Sequence, residues 1–210
     1  MLLDEQTHRV IVSNRSISRD QLAIWDLAFP LLLGFLILSL SALTQSLLIF
    51  SLGLLQGAHI LVRLHAFSRQ KTGASASQLH GWWVLLLLFF AFALLLSSGH
   101  ILVETYWRLT EPTQIPALTA FWGISAVFAG QTLIEKGFHF KIYRPLPVAK
   151  LPGKRYFQVA FLMSILAFLT IYWTDFFWID ALLGGLFSLP LFLGAVFASL
   201  DAYWRLEEIA

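Results

Sequence analysis

The chain has no cysteine among its 210 residues. Disulfide frameworks and thiolate metal sites are therefore excluded. Charge is scarce as well. Asp, Glu, Lys and Arg make up 12% of the sequence, against about 25% in an ordinary soluble domain. No glycine-rich nucleotide loop, hydrolase elbow or HExxH is present, so the enzyme classes built on those motifs drop out. No enzymatic activity is expected. The opening "MLLDEQTHRVIVSNRSISRD" lacks the basic start, apolar middle and small-residue cleavage site of a signal peptide.

Apolar residues fill the space. They make up 58% of the chain, with 19 Phe and 8 Trp, and the mean hydropathy is +0.75. A soluble domain of this size has too little interior to hide that surface. The pattern is that of an all-α integral membrane protein. Six runs approach the ~20 residues that a helix needs to cross a bilayer: 22–40, 46–67, 81–103, 116–135, 156–174 and 180–204. They are too long for barrel strands and show no period-two alternation. Residues 1–21 are expected to form a cytoplasmic tail. Residues 206–210 are expected to be a short tail, with no soluble C-terminal domain.

The basic residues orient the bundle. Arg9, Arg15 and Arg19 precede the first run, and Arg63, Arg69 and Lys71 flank the link between the second and third. Lys136, Lys141, Arg144, Lys150, Lys154 and Arg155 lie around the link between the fourth and fifth, and Arg205 follows the sixth. Only Arg108 falls on the other side. The positive-inside rule then places both termini in the cytoplasm. Of these residues, Lys141, Arg144, Lys150, Lys154 and Arg155 are expected to meet lipid headgroups. Trp82, Trp83, Trp107, Trp173, Trp178 and Trp204 sit near run ends, as an interfacial belt does. The +2 charge is spread between apolar runs and does not suggest nucleic acid.

Two stretches carry a family resemblance. "ILVETYWRLTEP" (101–112) resembles the end of the third span of cation diffusion facilitators, and "FFWIDALLGG" (176–185) resembles the opening of their sixth. The gapless spacing from His80–Gly81 to Glu104 also fits that family. The resemblance covers roughly residues 22–205. It implies a cation-efflux-like six-helix bundle with a mid-membrane cation site built from paired ligands on spans two and five. Laid on this chain, those ligand positions are Phe50 and Leu54, then Gly153 and Phe157. None of the four can bind a metal. The family's histidine-rich link between spans two and three is reduced to His80 in "ASASQLHG".

Ionisable groups within apolar helices are costly and need a reason. His100 and Glu104 are one turn apart near a helix exit. They read as a hydrogen-bonded pair, with a shared ion as the minority reading. His59 and Arg63 are also one turn apart, and the neighbouring arginine keeps His59 neutral and repels a metal. Arg63 can reach the headgroups. Antiparallel spans put His59 and His100 about 15 Å apart in height, too far to share a haem. Asp26, Gln131, Glu135 and Asp201 read as boundary or packing residues.

The favoured expectation is a relative of the cation efflux family that has lost its metal site. It would serve as a non-transporting scaffold or accessory subunit among other integral membrane subunits, in a bacterial inner membrane. The alternative is a divalent cation/proton transporter with a relocated site drawn from His59, His100, Glu104, Gln131 or Asp26. No cofactor is expected, while a bound pigment or lipid stays open.

Overall fold

The structure is a computed structural model. It describes residues 31–70, 77–141 and 153–209, with side chains over 31–62, 84–133, 158–204 and at 206. The tail 1–21, Asp26, Arg144 and Lys150 lie outside the described residues. So do the side chains of Arg63, His80, Glu135, Lys141, Lys154, Arg155 and Phe157.

Among the described residues there are six helices and no strand. They are α1 (Leu31–Thr44), then α2 (Leu47–Gln70), α3 (Ser77–Thr110), α4 (Ala117–Lys141), α5 (Gly153–Thr174) and α6 (Trp178–Ile209). Each apolar run nucleates one helix, and the helices extend into the flanking polar sequence. At 34 residues, α3 is about 50 Å long, well beyond a ~30 Å hydrocarbon core. α6 continues through Pro190.

Three links are short: 45–46, 111–116 and 175–177. Asp180, in the first turn of α6, bonds the first turn of α2. Arg108, in the last turn of α3, bonds the carbonyl of Gln45. All three links therefore lie at one end of the bundle, here called the linked end. Two of them turn on a left-handed residue, Gln45 at φ 53° and Asp175 at φ 57°.

The interior is two cores that share α2. One joins α1, α2, α4 and α5 around Leu48, Leu52, Ile124, Phe161 and Phe168. Phe128 of α4 stacks on Phe161 of α5, with ring centroids 5.4 Å apart. The other joins α2, α3 and α6 around Ile60, Val84, Leu87, Ile101 and Ala195. Between α3 and α6, Gly185 leaves room for Thr105. A Cβ at Gly185 would lie 2.7 Å from the Thr105 methyl.

Two helical stretches, Val84–Thr110 and Trp178–Trp204, are long and apolar enough to cross a membrane, and 33% of each apolar window is buried. The core helix of a soluble protein would hide most of that surface. Phe89, Phe92, Leu96, Trp173 and Phe197 all face outward.

Of the six full-length spans expected from the sequence, these two are shown among the described residues. Leu31–Thr44, Leu47–Val62, Ala117–Leu133 and Gln158–Thr174 are apolar helical stretches of 10–17 residues within the described side chains. The helices that hold the last three run on to 24, 25 and 22 residues, about 33–38 Å at 1.5 Å per residue.

Candidate functional site

A cluster of polar residues lies at the linked end, and the local sequence explains how. α1 stops at Thr44, whose hydroxyl donates back to the Leu40 carbonyl at 2.8 Å. Gln45 then turns the chain in a left-handed conformation. Ser46 caps α2, its Oγ accepting the N–H of Ile49 at 3.1 Å, as serine does at helix starts. That leaves the N–H groups of Leu47 and Leu48 without an intrahelical acceptor.

Asp180 supplies both. Its Oδ2 accepts the Leu47 N–H at 2.9 Å and its Oδ1 the Leu48 N–H at 3.2 Å. The Ser46 hydroxyl donates to the same Oδ1. The residue is 1% exposed. A buried carboxylate is tolerated only with such partners. Asp180 also sits in the first turn of α6, so one negative charge lies at the positive ends of two helices. Gly184, one turn on, brings α6 against the α2 backbone. A Cβ there would come within 2.9 Å of the Leu47 carbonyl carbon.

Beside this cap is a cleft of about 270 Å³ between α1, α2 and α3. Ser41, Gln45, Ser46, Phe50, His100, Glu104 and Arg108 are among the residues lining it. His100, Glu104 and Arg108 are spaced one helical turn apart along α3. The Arg108 Nε donates to Glu104 Oε1 at 2.9 Å, and its Nη1 donates to the Gln45 carbonyl at 2.6 Å. The partner of Glu104 is thus Arg108, one turn toward the helix end, rather than His100. His100 itself is exposed at the lip of the cleft.

Of the positions where the resemblance would put cation ligands, Phe50 lines this cleft and Leu54 is buried in the α2–α3–α6 core. Gly153 and Phe157 are at the start of α5, and Thr174 at its far end leads into the linked end. About 25 Å of helix rise separates Phe157 from Thr174. The four positions therefore do not converge in this fold, because α5 approaches the linked end with its C-terminus. Among the described residues no group of three or more His, Asp or Glu is placed to hold a metal.

His59 is half-buried and lies about 13 Å farther along α2 than Phe50, so it does not join His100. His59, Gln131 and Asp201 each have interactions within the bundle. Sequence reasoning missed Asp180 and Ser46. A serine just before "LLIF" is a helix-start signal, but its partner lies 134 residues away.

No protein-family model matches the chain, and no curated protein matches its sequence.

Proposed function

We propose that the chain is a cation-efflux-like, six-span membrane bundle that acts as a non-transporting scaffold or accessory subunit. The observation that carries this reading is the pairing of Glu104 with Arg108. The carboxylate that lines the cleft already faces a fixed positive charge. A divalent cation entering there would meet a guanidinium that does not deprotonate in proteins. The apolar side chains of Phe50 and Leu54 support the same reading. Asp180, the buried acid at this end, is occupied in holding α2 to α6. The outward Phe, Leu and Trp side chains suit packing against lipid and neighbouring membrane subunits. The distribution of Lys and Arg favours the linked end on the non-cytoplasmic face of a bacterial inner membrane.

The test has two arms. The chain, purified from native membranes in mild detergent, is expected to bring a stoichiometric integral membrane partner with it. Reconstituted alone in liposomes, it is expected to pass zinc, manganese and iron no faster than protein-free vesicles. Metal flux that Glu104→Gln or His100→Ala abolishes would instead establish a relocated transport site.

A further inference from the structure

Along α3, Phe89, Phe92, Leu96, Val103 and Trp107 are all exposed at helical spacing. They form one outward stripe. His100 falls on that stripe and is exposed too. It is the one ionisable group there, and it also borders the cleft that holds Glu104 and Arg108. An imidazole on an otherwise apolar outward face needs a polar neighbour. The cleft beside it is where such a neighbour fits.

The charges of the cleft define the ligand. Arg108 engages Nε–H and Nη1–H, which leaves further guanidinium donors for a phosphate. Glu104 accepts through Oε1, which leaves Oε2 for an ammonium. A lone cation would face Arg108, and a lone anion would face Glu104. A ligand carrying both charges satisfies both. The volume of about 270 Å³ suits a headgroup and not acyl chains. Apolar chains have a track beside it, the stripe through Phe92, Leu96 and Val103.

We infer that this cleft holds the headgroup of a zwitterionic aminophospholipid, with phosphate at Arg108 and primary ammonium at Glu104. His100 sits at the mouth, between headgroup and chains. The inference rests on the membrane reading above and is independent of whether the chain serves as a scaffold.

The experiment is native mass spectrometry of the full chain, delipidated and then titrated with phosphatidylethanolamine, its N-monomethyl form, phosphatidylcholine or phosphatidylglycerol. One charge-assisted hydrogen bond predicts on the order of tenfold preference for phosphatidylethanolamine over phosphatidylcholine and phosphatidylglycerol. The monomethyl lipid should fall between phosphatidylethanolamine and phosphatidylcholine. Glu104→Gln should flatten the series, and Arg108→Gln should weaken all four lipids. Soluble phosphoethanolamine is the control for source. If it displaces the lipid at equal concentration, the ligand is the free amino-phosphate. If it does not, the ligand comes from the bilayer. Equal binding of all four lipids by the unmutated chain overturns the inference without recourse to any variant. Alkaline carbonate washing of membranes separates the two failures. A chain that washes off refutes the membrane reading, whereas one that stays but shows no lipid preference refutes only the headgroup site.

Discussion

The carboxylate of Asp180 caps the helix that begins at Leu47, accepting its backbone N–H at 2.9 Å across 133 residues of sequence. It joins α6 to α2 at the point where the chain has just left α1. Removing it would leave the N–H groups of Leu47 and Leu48 and the Ser46 hydroxyl without their buried acceptor. Asp180→Ala is therefore expected to cost about 3 kcal/mol or more of stability, since each unsatisfied buried donor costs about 1–3 kcal/mol. Asp180→Asn keeps one acceptor oxygen and should cost less. Unfolding in mixed micelles by SDS titration measures both. An alanine variant within about 0.5 kcal/mol of the parent would show that the cap is not a fastening point.

Gly184 offers a second test of the same junction. Its missing side chain lets α6 approach the backbone of Leu47, which a new Cβ would meet at 2.9 Å. Backbone cannot rotate away as a side chain can. Gly184→Ala should thus destabilise by about 1–3 kcal/mol through overpacking. Gly194 is also within α6 but faces open space. There the same substitution should be neutral or add up to about 1 kcal/mol from helix propensity. The pair, compared by thermal unfolding in detergent, separates packing from propensity. Equal effects at the two positions would refute the close approach.

Gln45 holds a left-handed backbone at φ 53°, which a side chain makes unfavourable by about 1–2 kcal/mol. Its carbonyl, not its side chain, takes the bond from Arg108. Gln45→Gly should therefore raise stability by roughly 0.5–1 kcal/mol. A higher midpoint in the same unfolding assay is the expected result, and a fall would mean that the Gln45 amide has a role of its own.

Much of this was legible in the sequence, for physical reasons that also explain the remainder. Apolar runs bounded by polar links specify helices directly, so the centres of α2 to α6 are readable from hydropathy. The 45–46 turn carries a local signal, Ser46 just before "LLIF", but hydropathy alone ends the first run at residue 40 while α1 continues to Thr44. The pairing of Glu104 with Arg108 lies at i, i+4 spacing and is local. Reading Glu104 with His100 chose the equally spaced neighbour on the other side and overlooked that a guanidinium makes the stronger partner for a carboxylate. The Asp180 cap is different in kind. Nothing in "FFWIDALLGG" says that its acid will meet a helix start 132 to 134 residues earlier, since that depends on which ends of α2 and α6 coincide. The positions laid on the family's cation site, Phe50 and Leu54 on α2 and Gly153 and Phe157 on α5, lie apart for the same reason. A linear alignment fixes positions along helices but not which ends of two helices meet.

The arrangement of ends can itself be tested, and the lack of cysteine makes the test free of background. Links 45–46, 111–116 and 175–177 share one end of the bundle because Asp180 and Arg108 tie them together. Single cysteines at Gln45, Glu111 and Asp175 should therefore react with a membrane-impermeant maleimide from the same side of sealed, oriented vesicles. Lys150→Cys, in the basic link, should react only from the opposite side, where Lys and Arg are concentrated. Labelling of Gln45→Cys and Asp175→Cys from opposite faces would contradict the Asp180 junction, since one carboxylate cannot touch helix starts on two sides of a bilayer. Labelling of all four from one face would keep the junction and refute the transmembrane orientation.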